Sequence, residues 1–382
     1  MKLRLTLITE IIAPYRIPVF NALAVRDDIE LHVIFLAESD ASLRQWLVYK
    51  NEIQFSYEVL PSKRKRIGGQ NLLLNWGVAK ALAASRPQVI LCGGYNYPAS
   101  WRAAYWARHR DIPFLVWIES TAFDSRGGHA MIEGLKRRFF ALCRGFVVPG
   151  KASSDYVRGF EIPANRIFIA PNAIDTNLFA SAAAEARKNA QERRQELGLP
   201  LRYFLNVSRL IPAKGVFDLL EAYAKLETSM RSEVSLVFVG DGVAREELAA
   251  RARSISPGAV EFRGFLQRDE LPAYYALAEA LVFPTHSDTW GFVVNEAMAC
   301  ATPVIASDVA GCVADLVTPE ETGLVVLRGD IQGFSAAMTK MASQPELREQ
   351  MRQRAAERIR GYSPEACAAG ISAAAHAAGG PQ

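Results

Sequence analysis

Residues 280–299 read Ala280-Leu281-Val282-Phe283-Pro284-Thr285-His286-Ser287-Asp288-Thr289-Trp290-Gly291-Phe292-Val293-Val294-Asn295-Glu296-Ala297-Met298-Ala299. The apolar run 280–283 has the length and composition of a buried parallel strand, and 284–290 those of a loop. The residues after Gly291 read as a helix whose first amides point back at that loop, and such an N-terminus attracts phosphate. Asp288 then lies beside whatever the phosphate carries. Glu296, eight residues on, sits about one turn into the helix, where it can accept hydrogen bonds from a sugar diol. Two acids that read hydroxyls, with amides between them that read phosphate, suit a nucleotide-sugar. Read singly, Asp288 also fits an N-cap and Glu296 an exposed helical acid, since acids gather at helix starts.

Working outward, short apolar runs recur at 3–8, 29–35, 89–93, 114–118, 146–149 and 167–170, with helical segments between them. A charged, alanine-rich stretch at 181–198 interrupts the pattern, and a second series follows at 203–207, 235–240, 260–262, 280–283, 304–307 and 324–327. This is the pattern of buried parallel strands with crossover helices, given twice. The expectation is an α/β protein of two doubly wound domains, 1–180 and 181–357, with the ligand in the cleft at their strand ends. Residues 345–378 carry no strand signal and read as helix, and Gly379-Gly380-Pro381-Gln382 as a frayed end.

A chain of 382 residues, half of them hydrophobic, suffices for two such cores. No apolar run reaches the roughly 18 residues of a membrane span, and Met1-Lys2-Leu3-Arg4 leads straight into a strand pattern, so a cytoplasmic protein is expected. The five cysteines, Cys92, Cys143, Cys300, Cys312 and Cys367, are scattered, against both a disulfide framework and a CxxC site. Residues 1–180 hold 23 Lys+Arg against 15 Asp+Glu and the remainder 21 against 25, or +8 and −4. The basic clusters are Lys63-Arg64-Lys65-Arg66 and Lys136-Arg137-Arg138, the second followed by Phe139-Phe140. Basic residues beside aromatics can hold a protein on an anionic membrane, and a solvated face is the competing reading. No nucleic-acid-binding motif accompanies the charge.

After the first strand of the second series comes Ser208-Arg209-Leu210-Ile211-Pro212-Ala213-Lys214-Gly215. An arginine fork and a lysine point charge five residues apart suit a diphosphate and the charge that develops as it leaves; exposed loop cations are the alternative. Val239-Gly240-Asp241-Gly242 is a tight strand-to-helix turn that lets backbone approach a ligand, without the spacing of a dinucleotide fingerprint. Phe262-Arg263-Gly264-Phe265-Leu266 offers backbone and flat side chains where a base could lie, although Phe262 and Phe265 taken singly fit a strand end in the core.

The ordered set Ser208-Arg209…Lys214-Gly215, Gly240-Asp241-Gly242, Phe262…Gly264, Asp288…Glu296 and Thr302-Pro303-Val304-Ile305-Ala306-Ser307 resembles the retaining glycosyltransferases of family 4. Pro171-Asn172-Ala173-Ile174-Asp175…Phe179 matches that family's PNGVD…F pattern; the resemblance is strong over 145–330 and weak over the first 140 residues. It implies a GT-B architecture: two Rossmann-like domains facing across a cleft, the C-terminal one holding the nucleotide-sugar, the N-terminal one shaping the acceptor site. A final helix, about 358–378 here, returns to the N-terminal domain. Carried over by motif, Arg209 and Lys214 hold the diphosphate, Glu296 the ribose, and the amides of Gly291, Phe292 and Val293 the sugar-phosphate region. Gly240, Asp241, Arg263, Phe265 and Trp290 complete the donor set. Asp288 stands at the first acid of the family's E-x7-E, where Glu is usual, and reaches about one methylene less.

Two departures lie in the first half. Where many relatives carry a glycine-rich turn, this chain has Ile12-Ala13-Pro14-Tyr15-Arg16-Ile17-Pro18, whose prolines and exposed Tyr15-Arg16 suggest an acceptor-shaping loop. Where relatives often place His, it has Glu119-Ser120-Thr121. A carboxylate there could orient the donor sugar or stabilise oxocarbenium-like charge; a strand-end acid bonded to turn amides is the alternative. Catalytic roles therefore fall to Arg209, Lys214, Asp288 and Glu119, acceptor roles to Pro14, Tyr15 and Arg16. With no Asp-x-Asp and no His/Cys cluster of ligand spacing, no metal or other cofactor is expected besides the donor. The reaction implied is retaining hexosyl transfer to a glycan or lipid-linked acceptor in surface polysaccharide or glycolipid synthesis. Its rivals are a sugar-nucleotide epimerase or hydrolase and a non-catalytic sugar-nucleotide-binding protein.

Overall fold

A computed structural model describes residues 2–380 except 41–44, 68–69, 124–129 and 256–257, and the side chains of these except 66, 67, 70, 71, 130 and 131. Pro381 and Gln382, the end of the tail read as frayed, lie outside the described residues. The chain divides into two compact units: Met1–Ile174 with Ser363–Gln382, and Asp175–Tyr362.

The first unit holds strands β1 (Leu3–Thr9), β2 (Ile29–Phe35), β3 (Ser56–Val59), β4 (Ser62–Ile67), β5 (Gln70–Asn75), β6 (Val89–Gly93), β7 (Phe114–Trp117), β8 (Gly145–Val148) and β9 (Ile167–Ile169). Seven form a parallel sheet in the order β3-β2-β1-β6-β7-β8-β9, and β4 and β5 form a separate antiparallel hairpin. The central strands are apolar on both faces because helices cover both. Leu91, Leu115 and Val147 join one core with Ile17, Phe20 and the C-terminal residues Cys367, Ile371 and Ala374. Their neighbours Ile90, Val116 and Val148 point the other way, into a second core with Val78, Leu82 and Ala103.

The second unit holds β10 (Tyr203–Val207), β11 (Ser235–Val239), β12 (Val260–Phe262), β13 (Ala280–Phe283), β14 (Val304–Ser307) and β15 (Gly323–Val326). They form one parallel sheet in the order β12-β11-β10-β13-β14-β15. Counted within the unit this is 3-2-1-4-5-6, the doubly wound order whose direction reverses beside the first strand. The first sheet has the same order with a seventh strand added, once the hairpin is set aside. Each unit therefore has one topological switch point, between β1 and β6 and between β10 and β13, where the loops leaving the strands part and a ligand can enter.

Three strands escaped the sequence reading. β3 is a sheet edge whose residues are largely exposed, and β4 is built from the basic cluster, so neither shows an apolar run. The unit boundary falls after Ile174, six residues before the position expected, because the helix Thr176–Lys188 packs on the helices Leu271–Leu277 and Phe292–Ala299 of the second unit. The final helical segment is two helices, Pro345–Ile359 and Pro364–Gly379, broken at 360–363 where Ser363 caps the second and Pro364 opens it. The first belongs to the second unit and the second to the first unit, where it packs on the helix Ile17–Ala24.

Candidate functional site

The loops leaving β10 and β13 are joined to each other. Asn206, buried in β10, donates to the Val282 carbonyl at 2.8 Å and accepts from the Ser208 hydroxyl at 2.8 Å. The β10 loop then makes one tight turn, Pro212–Lys214, closed by Gly215 at φ 66°. A side chain at 215 would be strained by that φ, and its Cβ would fall far inside van der Waals contact of the Pro284 carbonyl oxygen. Glycine thus lets the two loops touch. The His286 amide donates to the Ala213 carbonyl at 3.0 Å, and the His286 ring meets Asp218 at 2.7 Å. Across this junction Lys214 Nζ donates to Asp288 Oδ2 at 2.5 Å, while Asp288 Oδ1 accepts from the Trp290 amide at 3.2 Å. Both side chains are largely buried. Arg209 lies on the same loop as Lys214 but is exposed, and none of the described residues holds its guanidinium.

The helix after Asp288 runs Phe292–Ala299, with Gly291 as N-cap at φ 97° and the Val294 amide returning to the Gly291 carbonyl at 2.9 Å. Glu296 lies one turn in. Its Oε2 accepts a 2.6 Å hydrogen bond from the hydroxyl of Tyr275, a fully buried residue of the helix Leu271–Leu277. Burial pushes the Glu296 carboxyl up to about 7, against the opposing pull of the Tyr275 hydrogen bond. Nothing in the spacing of the motif identifies Tyr275. Its one signal is that it is one of two adjacent phenols, Tyr274 and Tyr275, in an otherwise apolar helical segment.

Several expected donor residues have other occupations. Trp290 is 2% exposed, donates from its indole to Asn295 Oδ1 at 2.8 Å and packs on Tyr362, so it supports the loop from inside the core. Arg263 donates to the Leu197 and Gly198 carbonyls and pairs with Glu261, closing the end of the helix Ala190–Leu197. Its guanidinium is a structural tie rather than a base contact. Asp241 is exposed and folds back on the Gly242 amide at 2.8 Å, and the Gly240 amide donates to the Gly264 carbonyl at 2.7 Å. Phe265 keeps 40% exposure, whereas Phe262 stacks on Phe238 at 5.2 Å. Phe292 and Val293 are half-buried.

In the first unit, Pro14–Arg16 forms a 3-10 turn that runs directly into the helix Ile17–Ala24, and Pro14 is buried. The Tyr15-Arg16 pair is not exposed as expected: Tyr15 is half-buried and the Arg16 side chain 11% exposed. The Arg16 guanidinium forms an ion pair with Glu119, just past β7, and stacks over the Trp117 ring at 4.0 Å. The Glu119 carbonyl accepts from the Ser153 hydroxyl at 3.2 Å. Arg64 from the hairpin also points inward, pairing with the buried Asp40 at 2.8 Å and with Glu10 at 3.4 Å. Phe139 and Phe140 are core residues and Lys136 is held by Glu133 and the Tyr156 hydroxyl, while Arg137 and Arg138 are exposed, so the aromatics expected beside the second basic cluster are not at the surface. The side chain of Arg66 lies outside the described ones.

Two family models match, "Glycosyltransferase Family 4" over 22–178 and "Glycosyl transferases group 1" over 188–358, one on each unit. The chain belongs to glycosyltransferase group 1/family 4. Among curated relatives of this family, it is 33% identical over 210 residues to the alpha-D-kanosaminyltransferase of Streptomyces kanamyceticus, covering 54% of this chain and 53% of that protein. It is 31% identical over 215 residues to the D-inositol 3-phosphate glycosyltransferase of Kineococcus radiotolerans, covering 52% and 48%. The chain spans about half the length of the curated relatives it matches. Its fold is that of the Anabaena protein Alr3699/HepE, solved in complex with UDP, at a TM-score of 0.74 over 98% of this chain and 99% of that one, with 19% identity.

Proposed function

We propose that the protein transfers a glycosyl unit from a nucleoside-diphosphate sugar to an acceptor hydroxyl with retention at the anomeric carbon. The observation that carries this reading is the Lys214–Asp288 pair at the β10/β13 switch point, with exposed Arg209 on the same loop and a helix N-terminus following. Two cations against one acid leave a positive surplus where a diphosphate would sit. In the reaction the bond from the anomeric carbon to the diphosphate breaks, and a bond to the acceptor oxygen forms on the same face. The acceptor's proton passes to the departing diphosphate, so no protein base is needed. Arg209 and Lys214 stabilise the charge that grows on the leaving group, and Asp288 keeps Lys214 in place.

In this reading no metal shares that charge, and the rate in EDTA should equal the rate with added magnesium. Glu119 and Arg16, already neutralised by each other, serve a neutral hydroxyl ligand. The first test is thermal stabilisation by UDP-, GDP- and ADP-sugars and by the free diphosphates, since a ligand of the native state raises apparent stability. A shift with one base family supports the reading and opens the way to acceptor screening. Donor turnover without an acceptor favours a hydrolase or epimerase; binding without turnover favours a non-catalytic protein.

For the acceptor we propose a lipid-linked glycan at an anionic membrane. Residues 59–110 contain nine Lys+Arg and no Asp or Glu. Within them Lys63 and Lys65 are exposed on β4, Lys63 opposite Leu74, and Trp76 beyond the hairpin is 52% exposed. Among the described residues no helix is long and apolar enough to cross a membrane. Lys63→Glu with Lys65→Glu should abolish binding to anionic vesicles; unchanged binding would sink this part of the proposal.

A further inference from the structure

Glu296 has two oxygens in different situations. Oε2 is engaged by Tyr275 at 2.6 Å, whereas Oε1 has no hydrogen bond among the described residues, although the side chain keeps partial exposure. Tyr275 is itself fixed. Its ring is fully buried, 6.4 Å from Phe179, and its carbonyl accepts from the Thr302 hydroxyl at 2.7 Å. A carboxylate on a helix can rotate about its last torsion and present either oxygen, or a mixture of the two. A phenol held from behind removes that freedom and fixes which oxygen faces the ligand.

We propose that Tyr275 is a positioning residue for nucleotide recognition: it claims Oε2 of Glu296 and leaves Oε1 as the acceptor for a ribose diol. This rests on the ribose role for Glu296 that the family resemblance implies, and adds to it the residue that orients Glu296 and opposes its protonation. A carboxylate accepts two hydroxyl donors more strongly than a carboxylic acid does. Burial opposes ionisation here, and the Tyr275 hydroxyl is the contact that favours it.

The neighbouring groups do not blur the titration. Cys300, four residues on, and Tyr275 are both raised well above neutrality by burial and stay protonated. Arg187, on the helix Thr176–Lys188, donates to the Cys300 and Ala301 carbonyls, and Arg352, on the helix Pro345–Ile359, donates to the Ala278 carbonyl at 2.9 Å. Both stay cationic through neutrality, which leaves Glu296 as the member of this set that changes charge between pH 5 and pH 9.

The test measures affinity by calorimetry across pH 5.5–9 for whichever of UDP, GDP or ADP stabilises the protein, and for its 2′,3′-dideoxy analogue. Wild-type protein should prefer the ribonucleotide, the preference growing with pH. Tyr275→Phe should lose about tenfold in that preference at pH 7 and regain most of it by pH 9, as the midpoint moves up. A purely structural tyrosine would cost the same at every pH, and that flat profile, or a wild-type profile in Tyr275→Phe, overturns the inference. If wild-type protein shows no preference for ribose over dideoxyribose, the assignment of Glu296 fails instead. The double variant Tyr275→Phe/Glu296→Gln guards against misfolding: acting through one contact, it should be no weaker than Glu296→Gln alone.

Discussion

At the end of β10 the second unit sets Lys214 against Asp288 and leaves Arg209 over; at the end of β1 the first unit sets Arg16 against Glu119 and stacks it on Trp117. Both units use the same strand order, and each puts a cation after its first strand and an acid after a later one. Yet the half of the chain with net charge +8 has its inward-pointing cations, Arg16 after β1 and Arg64 in the hairpin, matched by Glu119, Asp40 and Glu10. The half with −4 keeps a cation in surplus at its switch point. Net charge is a property of the whole surface and steers encounter, whereas ligand choice follows the few charges left unmatched at the strand ends. By that measure the second unit suits an anion and the first a neutral, hydroxyl-bearing ligand.

The largest test of this contrast is removal of the surplus. Arg209→Ala and Lys214→Ala should each weaken nucleoside-diphosphate affinity by about 30- to 150-fold, as expected for a charge-assisted contact of roughly 2–3 kcal/mol. Lys214→Ala also leaves Asp288 largely buried without its counter-ion, so Lys214→Ala/Asp288→Asn should recover part of the loss. Calorimetry with the free diphosphate measures both. Near-normal affinity in the two single variants would remove the anion site from the second unit.

The next effect is on stability. Gly215→Ala places a Cβ against the Pro284 carbonyl at a left-handed φ, and should destabilise the second unit by about 3 kcal/mol in urea unfolding. Somewhat smaller is the pH dependence contributed by Glu296. Its folded-state pKa of about 7 exceeds the ordinary glutamate value of about 4.5, so the native state binds the proton more tightly. The stability it contributes is fully present below about pH 4.5 and is lost as pH rises through 7. Wild-type protein should therefore lose on the order of 2 kcal/mol from this group between pH 5 and pH 8, and Glu296→Gln should flatten that part of the profile. An unchanged slope in Glu296→Gln would place the titration elsewhere.

How much of this could be read beforehand follows from what periodicity records. Buried parallel strands and their crossovers announce themselves as apolar runs, which is why both doubly wound units and the strand ends carrying Lys214, Asp288 and Glu296 were legible. Pairings are not periodic. That Lys214 is held by Asp288, Arg16 by Glu119 and Glu296 by Tyr275 depends on which strands become neighbours, and partners 21 to 103 residues apart leave no local mark. Trp290 and Arg263 misled for the same reason. A flat or cationic side chain near a site motif reads as a ligand contact until the Asn295 amide or the carbonyls of Leu197 and Gly198 are seen to occupy it. The hairpin β4–β5 was missed because its residues are mostly polar or charged, which is the composition of a solvated loop.

The smallest expected effect is also the one that sharpens the contrast most. Arg16→Ala removes an ion pair with the part-exposed Glu119 and a guanidinium stack on the buried Trp117 ring, and should cost the first unit about 1 kcal/mol. Its effect on diphosphate affinity should be nil, because the anion site proposed above is built from residues of the other unit. Its effect on transfer should appear in the acceptor's KM, and Arg16→Lys should restore the charge but not the planar stack on Trp117. Glu119→Gln keeps the shape of the pair and removes its charge. If Glu119 only orients Arg16, the two variants behave alike; if Glu119 meets the acceptor hydroxyl itself, Glu119→Gln lowers kcat while Arg16→Ala chiefly raises KM. A loss of diphosphate affinity in Arg16→Ala comparable to that of Lys214→Ala would end the division of labour between the units, whatever the acceptor proves to be.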